Sequence, residues 1–324
     1  MATVHQGPPG RGSAQLWDVR TGDREATLVL DADPAPLEKQ LNLTVSRPGA
    51  VGFSPTGRAL AARAIKKRVI EVRDVATGRL RQSRALSAID TAVFSPDGTR
   101  LAIVDIEGTV RIWHLSTGAL HTVHTDHDRP VRAVAFAPDG RTLAVVHNED
   151  RGGDQLTLLD ATTGRTQHTI KTSAWSSLSL AFSPDGHTLA TASGYSGLAK
   201  TWDARTGQLR DNLSVSTQVA SLTFSPDGRT LATSSARGVQ LWDLATSQIR
   251  TTLRTRSPGA VAFSPDGRTL AISTGNSVEL RNVDLPDPAR ALRNICEAID
   301  TTLTTLERSR YLHDQPTETG CQPR

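Results

Sequence analysis

The stretch Phe94-Ser-Pro-Asp-Gly98 recurs along the chain with single-letter changes. The other copies are Phe53-Ser-Pro-Thr-Gly57, Phe136-Ala-Pro-Asp-Gly140, Phe182–Gly186, Phe224–Gly228 and Phe263–Gly267. Successive phenylalanines stand 41, 42, 46, 42 and 39 residues apart. Self-similarity at that period means one supersecondary unit copied in series. Around each copy the grammar is constant. An alternating apolar run ends in the phenylalanine, as in Val131, Val134 and Phe136 or Val219, Leu222 and Phe224. Pro-Asp-Gly is turn chemistry, because proline presets its φ and glycine accepts positive φ. A second run then opens with Leu-Ala, at Leu101, Leu143, Leu189, Leu231 and Leu270.

A third run closes on an aromatic or apolar residue and usually an aspartate. Examples are Leu16-Trp17-Asp18, Leu158-Leu159-Asp160, Thr201-Trp202-Asp203 and Leu241-Trp242-Asp243. Val72-Arg73-Asp74, Ile112-Trp113-His114 and Leu280-Arg281-Asn282 depart from it. Thr-Gly follows three or four residues later in five copies, as a turn into a fourth, more variable strand. Short runs bounded by Gly, Pro, Asp and Thr signal strands and hairpins. Four strands in about forty residues, repeated, make a propeller blade.

At these residues the chain resembles the WD-repeat β-propellers, over residues 1 to about 285. In that family both motifs are structural, so Trp17, Trp113, Trp202 and Trp242 are expected in the core. The family's histidine, expected nine residues before the phenylalanine, is matched by His127 alone. Apolar packing must therefore replace most of the polar relay, as in a degenerate, bacterial-looking propeller. Met1-Ala2-Thr3-Val4 aligns with the Leu-Ala second strands, so the chain opens inside a blade. After Asn282, Val-Asp-Leu-Pro-Asp-Pro cannot pair as a central strand. WD-repeat rings close with an N-terminal strand on the final blade. The resemblance thus implies seven blades, the first truncated at its N-terminal side.

The chain has 324 residues, 37% hydrophobic and 22% charged, with a net charge of +4. It can bury a large core as a ring of small modules. No window approaches the roughly eighteen apolar residues of a membrane span. The Gly-Pro-rich start is no signal peptide. Two cysteines fit a reducing compartment, and a cytoplasmic location is expected. Of the 37 basic residues five are lysine, and the densest patch is Arg63, Lys66, Lys67 and Arg68. It falls in a turn between second and third strands. With Trp175 in a linker between blades and Tyr195 in another such turn, it forms the expected partner-binding face. A basic patch suits an acidic partner, and without aromatic interleaving it argues against nucleic acid.

His121, His124 and His127 with Asp126 and Asp128 suggest metal ligands, yet strand alternation sends His121 and His124 to opposite faces. Asn148, Glu149, Asp150 and Asp154 form a long acidic turn without the spacing of a helical calcium loop; it reads as solvated. No metal or cofactor is expected. Catalytic signatures, phosphate-binding loops and clustered cysteines are lacking. The expected function is a non-catalytic interaction or sensor scaffold. The alternative is a propeller hydrolase or lyase with a polar cluster in its central channel.

The chain changes character at Pro286, which separates a propeller (1–285) from a tail (286–324). Asp287-Pro288 starts a helix, and Leu292, Ile295, Cys296 and Ile299 recur at helical spacing. Thr304-Thr-Leu-Glu307 fits a capping box for a second short helix. The tail resembles one that follows propellers in actinobacterial signalling proteins, at Ile295-Cys296, Leu303-Thr304, Glu307, Tyr311-Leu312, Pro316 and Cys321. Arg308 stands where that group often has tryptophan. This resemblance implies an upstream signalling ATPase of the STAND type, kinase or DNA-binding module, with the propeller as sensor. The α-helical tail is expected to dock through Leu292, Ile295, Ile299 and Leu303. Docking would bring Cys296 near Cys321, and the reading leaves their pairing open.

Overall fold

A computed structural model describes residues 2–6, 12–17, 24–30, 51–64, 69–86, 89–124, 131–147, 154–172, 177–193, 197–215, 218–256, 258–274 and 277–283. All regular structure among them is strand, in seven antiparallel sheets that follow one another in chain order. The third sheet sets the pattern, with strands Ile89–Phe94, Arg100–Asp105, Val110–His114 and Leu120–His124 hydrogen-bonded in sequence. The second, fourth, fifth and sixth sheets repeat it, and first strands of successive sheets from the second onward lie side by side. The sheets thus succeed one another as propeller blades do. The first sheet has three strands, Ala2–Gln6, Gly12–Trp17 and Arg24–Leu30. Ala2 pairs with Leu16 there as Ala190 pairs with Thr201, which is the register of a second strand. The seventh sheet also has three, Pro258–Phe263, Thr269–Thr274 and Ser277–Asn282. The tail lies outside the described residues.

The apolar first-strand spacing of 131, 134 and 136 breaks strict alternation, and a β-bulge accounts for it. The register shifts between Val131 and Ala133, between Val219 and Ser221, and at the same place in the third, fifth and seventh sheets. One extra residue restores the buried face, so Val131, Val134 and Phe136 all point inward. Second strands are buried on both faces: Leu101, Ala102, Ile103 and Val104 are all sequestered from water. That double burial explains their continuous Leu-Ala-apolar runs. Fourth strands, such as Leu80–Ala85, are largely exposed and correspondingly variable.

Buried apolar side chains fall into five clusters, each shared by two consecutive sheets. Trp113 of the third sheet clusters with Ala61, Ile70 and Val72 of the second. Trp202 joins Leu156, Leu158 and Ile170 of the sheet before it, and Trp242 joins Ala190, Ala192 and Leu213. The three indoles are buried, as expected from the sequence; the Trp17 side chain lies outside the described residues. Such a side chain removes about 150–250 Å² from water. Two indole N–H groups donate inside the core, Trp202 Nε1 to Thr191 Oγ1 at 3.0 Å and Trp242 Nε1 to Thr233 Oγ1 at 2.9 Å. The acceptor is the threonine of Leu-Ala-Thr. In the third sheet that residue is Ile103, and the buried Trp113 Nε1 has no acceptor among the described residues.

Both turn motifs are closed by carboxylates. In Ser95-Pro-Asp-Gly98 the Ser95 hydroxyl donates to Asp97 Oδ1 at 2.5 Å, Asp97 Oδ1 accepts from Thr99 N, and Gly98 sits at φ 70°. A Cβ on Gly267 would stand 3.4 Å from Pro226 Cδ, so the turns of neighbouring sheets stack proline against glycine. In the other motif the aspartate ending the third strand caps the following turn. Asp203 Oδ1 accepts from Arg205 N, Thr206 N and Thr206 Oγ1. Asp74, Asp160 and Asp243 cap their turns likewise. In the sixth sheet Ser247 takes glycine's left-handed place at φ 55°, and its hydroxyl donates to Asp211 of the fifth sheet at 2.6 Å.

Replacing Thr233 by Val leaves the Trp242 N–H buried without an acceptor, and should lower the urea-unfolding free energy by about 1–3 kcal/mol. Ile103→Thr supplies Trp113 with the missing acceptor and should cost less than an Ile→Thr change at Ile272; equal losses would show that the hydrogen bond contributes nothing. Arg81 and the Thr77 backbone hold the Asp74 carboxyl down at about 2, and Arg210, then Thr206, depress Asp203. An unfolded aspartate titrates near 3.9. Depressed carboxylates therefore add stability above about pH 4 that is lost as the pH falls towards 2. An Asp74→Asn/Asp203→Asn chain should show a flatter urea midpoint across that window than the unaltered chain.

Candidate functional site

In an antiparallel four-stranded meander, the turns after the first and third strands share one end. The turns after the second strand and the links between sheets share the other. At the first end the carboxylates are consumed by the turns. Ser183 and the His187 backbone hold Asp185 below the usual range, and Ser264 and the Arg268 backbone do the same for Asp266. Carboxylates tied to backbone amides in this way are poorly placed for proton transfer.

The other end is where the sequence places Lys66, Lys67, Arg68, Trp175 and Tyr195. All five lie outside the described residues. The strands that flank them are described: Ala59–Ala64 and Val69–Asp74 enclose the basic turn, and Thr188–Ser193 and Leu198–Asp203 the turn with Tyr195. These are second-to-third-strand turns of the second and fifth sheets.

The described residues add members that the sequence reading passed over. Ile106 is 64% exposed at the tip of the equivalent turn in the third sheet, far more than any other large apolar side chain described. Asp105 shapes that turn, accepting from Glu107 N and Thr109 N on Oδ1 and from Arg111 Nη1 on Oδ2. Arg237 is exposed in the same turn of the sixth sheet, and Arg254 and Arg256 are exposed in the link to the seventh. None of these three has an ion pair among the described residues. Their signal was in the sequence as Arg237-Gly238 and Arg254-Thr-Arg256, at the register of the Lys66–Arg68 turn and the Trp175 linker. They escaped because they are dispersed along the chain. Lys200 belongs to the fold instead: Nζ donates to the Thr172 carbonyl at 2.6 Å, and burial pulls its ammonium below the ordinary range.

His121 and His124 diverge as alternation requires. His121 stacks on His114 of its own sheet, ring centroids 5.3 Å apart, while His124 stacks on His147 of the next sheet at 4.7 Å. Burial and then His121 pull the His114 imidazole below its ordinary value. His147 Nε2 lies 2.9 Å from Thr157 Oγ1. Among the described residues no three His, Cys, Asp or Glu converge as metal ligands; His127, Asp126 and Asp128 lie outside them. Of the acidic turn, Asn148, Glu149 and Asp150 also lie outside. Asp154 departs from the solvated reading. It is buried, and its carbonyl accepts from Thr172 N at 3.0 Å and Thr172 Oγ1 at 2.7 Å, which ties the turn to the end of the fourth strand. No helix among the described residues is long and apolar enough to cross a membrane.

A cavity of about 400 Å³ lies between the sixth and seventh sheets at the carboxylate-closed end. Leu241, Phe263 and Val283 give it an apolar lining, and Arg250, Asp266 and Arg268 are polar residues along it. Ser-Pro-Asp-Gly turns also border it.

Residues 97–291, more than half of the chain, match a family model described as "Outer membrane protein assembly factor BamB". Residues 79–114 match the model described as "WD domain, G-beta repeat". The chain is 31% identical over 152 residues to "WD repeat-containing protein SL1-17" of Schistosoma mansoni, covering 46% of this chain and 44% of that protein. It is 32% identical over 127 residues to "Periodic tryptophan protein 2 homolog" of Dictyostelium discoideum, covering 39% of this chain and 14% of that protein. The chain thus spans less than half the length of either relative.

Proposed function

Since the chain belongs to the family of the BamB-described model and matches a WD repeat at residues 79–114, we propose that it is a non-catalytic protein-interaction or sensor scaffold. In this reading seven blades form a ring, as part of a larger bacterial signalling protein, and the end with the second-to-third-strand turns takes an acidic protein partner. The observation that carries the reading is the contrast between the two ends. At one end the aspartates are built into turns beside exposed arginines such as Arg58 and Arg229; at the other, Ile106 is exposed at a turn tip together with Arg237, Arg254 and Arg256, which have no ion pair among the described residues. Lys66, Lys67, Arg68, Trp175 and Tyr195 belong to the same surface by register. Dispersed basic groups speed and orient the approach of an acidic partner, while Ile106 and Trp175 supply apolar anchors. Nothing in this reading draws on a cofactor, a nucleic acid or a membrane.

The test uses a fluorescent peptide of alternating Glu and Leu residues as an acidic partner mimic. Arg254→Glu/Arg256→Glu should weaken its binding at least ten-fold at low salt, and Trp175→Ala by about 1–2 kcal/mol. Arg58→Glu/Arg229→Glu, at the opposite end, should leave it unchanged. Equal losses from both double variants would mean a diffuse charge effect and would remove the assignment of the face.

A further inference from the structure

We propose that the cavity between the sixth and seventh sheets is the seat of the chain's own C-terminal segment, which enters it with the apolar stripe Leu292, Ile295, Ile299 and Leu303. The four junctions from the second sheet to the sixth are closed by the third-strand residue of the following sheet: Trp113, Leu159, Trp202 and Trp242 each lie in the cluster shared with the preceding sheet. In the seventh sheet that register position, opposite Leu270 as Trp242 is opposite Leu231, is Arg281. Its guanidinium turns along its own strand to Glu279, with Nη2 2.8 Å from Oε2, and the residue is exposed. The cluster between these two sheets accordingly has no third-strand aromatic, and the cavity of about 400 Å³ lies at that junction.

The occupant follows from where the chain goes next. Val283 lines the cavity, and its N–H donates to the Arg268 carbonyl at 2.8 Å, so residue 284 starts at the cavity's edge. The nine residues from Val283 to Leu292 reach up to about 30 Å when extended, enough to turn back. The lining carries Arg250 and Arg268 beside Asp227 and Asp266. Arg268 has no ion pair among the described residues, and Glu297 and Asp300 flank Ile299 in the sequence. A three-turn amphipathic helix is marginal in water unless its apolar face is covered, and Leu241, Phe263 and Val283 give the otherwise polar cavity apolar side chains within its reach. Seated there, the tail stands in for the missing third-strand aromatic at the end opposite the proposed partner face.

The test uses the full chain with Cys321→Ser, so that Cys296 is its single thiol, and follows its reaction with Ellman's reagent. Cys296 should react at least ten-fold slower than in the isolated peptide 286–324, at all protein concentrations. Arg281→Trp puts the aromatic back into the junction and should raise the rate towards that of the peptide while the chain stays folded by circular dichroism. Should that variant fail to fold, Leu292→Asp, which leaves the cavity intact, should release the thiol instead. A thiol as reactive as in the peptide overturns the proposal, as does protection unchanged by the folded variant. Protection that grows with protein concentration also overturns it, since the occupant would then be a second copy. None of these readings involves the acidic peptide, so this seat and the partner face fail separately.

Discussion

The indole of Trp242 shares its cluster with Ala190, Ala192, Ala199 and Leu213 of the sheet before its own, and packing of this kind carries the architecture. A lone sheet of three or four strands has two faces to bury and no core of its own. The third to sixth sheets resolve this by each contributing a large third-strand side chain to the junction behind it. Small residues opposite, above all the alanines of Leu-Ala, make room. Stability in such an arrangement is approximately a sum over units and nearest-neighbour interfaces. Local departures from the repeat therefore have local consequences: Ile103 deprives Trp113 of an acceptor, and Arg281 leaves a junction with a cavity.

Polar chemistry is spent on the turns. The same aspartates that look like a row of reactive carboxylates each accept backbone N–H groups, and at most turns a Ser or Thr hydroxyl as well. This satisfies backbone donors that strand ends leave over and, at Asp74, Asp160, Asp185, Asp203 and Asp266, holds the carboxyl below its usual range. It also makes the two ends of the sheets chemically different. One end is a lattice of stacked turns with Pro226 against Gly267, and variation concentrates at the other, where turn length and charge change from sheet to sheet. A scaffold that binds through its variable end can change partner without disturbing its core.

Much of this was legible in the residues. The period gave the repeated unit, Leu-Ala-apolar runs marked the strands buried on both faces, and three of the four repeat tryptophans are core as read, the fourth side chain lying outside the described residues. Two features resisted. The first-strand spacing of three then two residues, as at Val131, Val134 and Phe136, departs from simple alternation, and only the strand register shows that a bulge absorbs the extra residue. Asp154 looked like a solvated loop acid, because its burial depends on Thr172, eighteen positions away in the chain and brought beside it by strand pairing. The proposed binding face was half legible: clustered charges such as Lys66-Lys67-Arg68 stand out, whereas Arg237 and Arg254 join a face only through the fold.

By itself the sequence determined the unit, its turns and its order, since these rest on short-range chemistry: proline and glycine at fixed φ, an aspartate two or three residues from the amides it caps, and period-two apolar runs. Only the tertiary structure decided what lies between units. Whether an indole N–H finds a hydroxyl, whether an imidazole stacks within its sheet or on the next, and whether a junction closes or holds a cavity all depend on side chains that strand pairing and sheet packing bring together, nine residues apart for Thr233 and Trp242 and 23 for His124 and His147. Trp242 and Arg281 occupy the same place in the repeat, yet one is buried against the preceding sheet and the other pairs with Glu279 at the surface. The repeat placed both; burial and charge separated them, because a guanidinium cannot leave water for an apolar junction without a partner there.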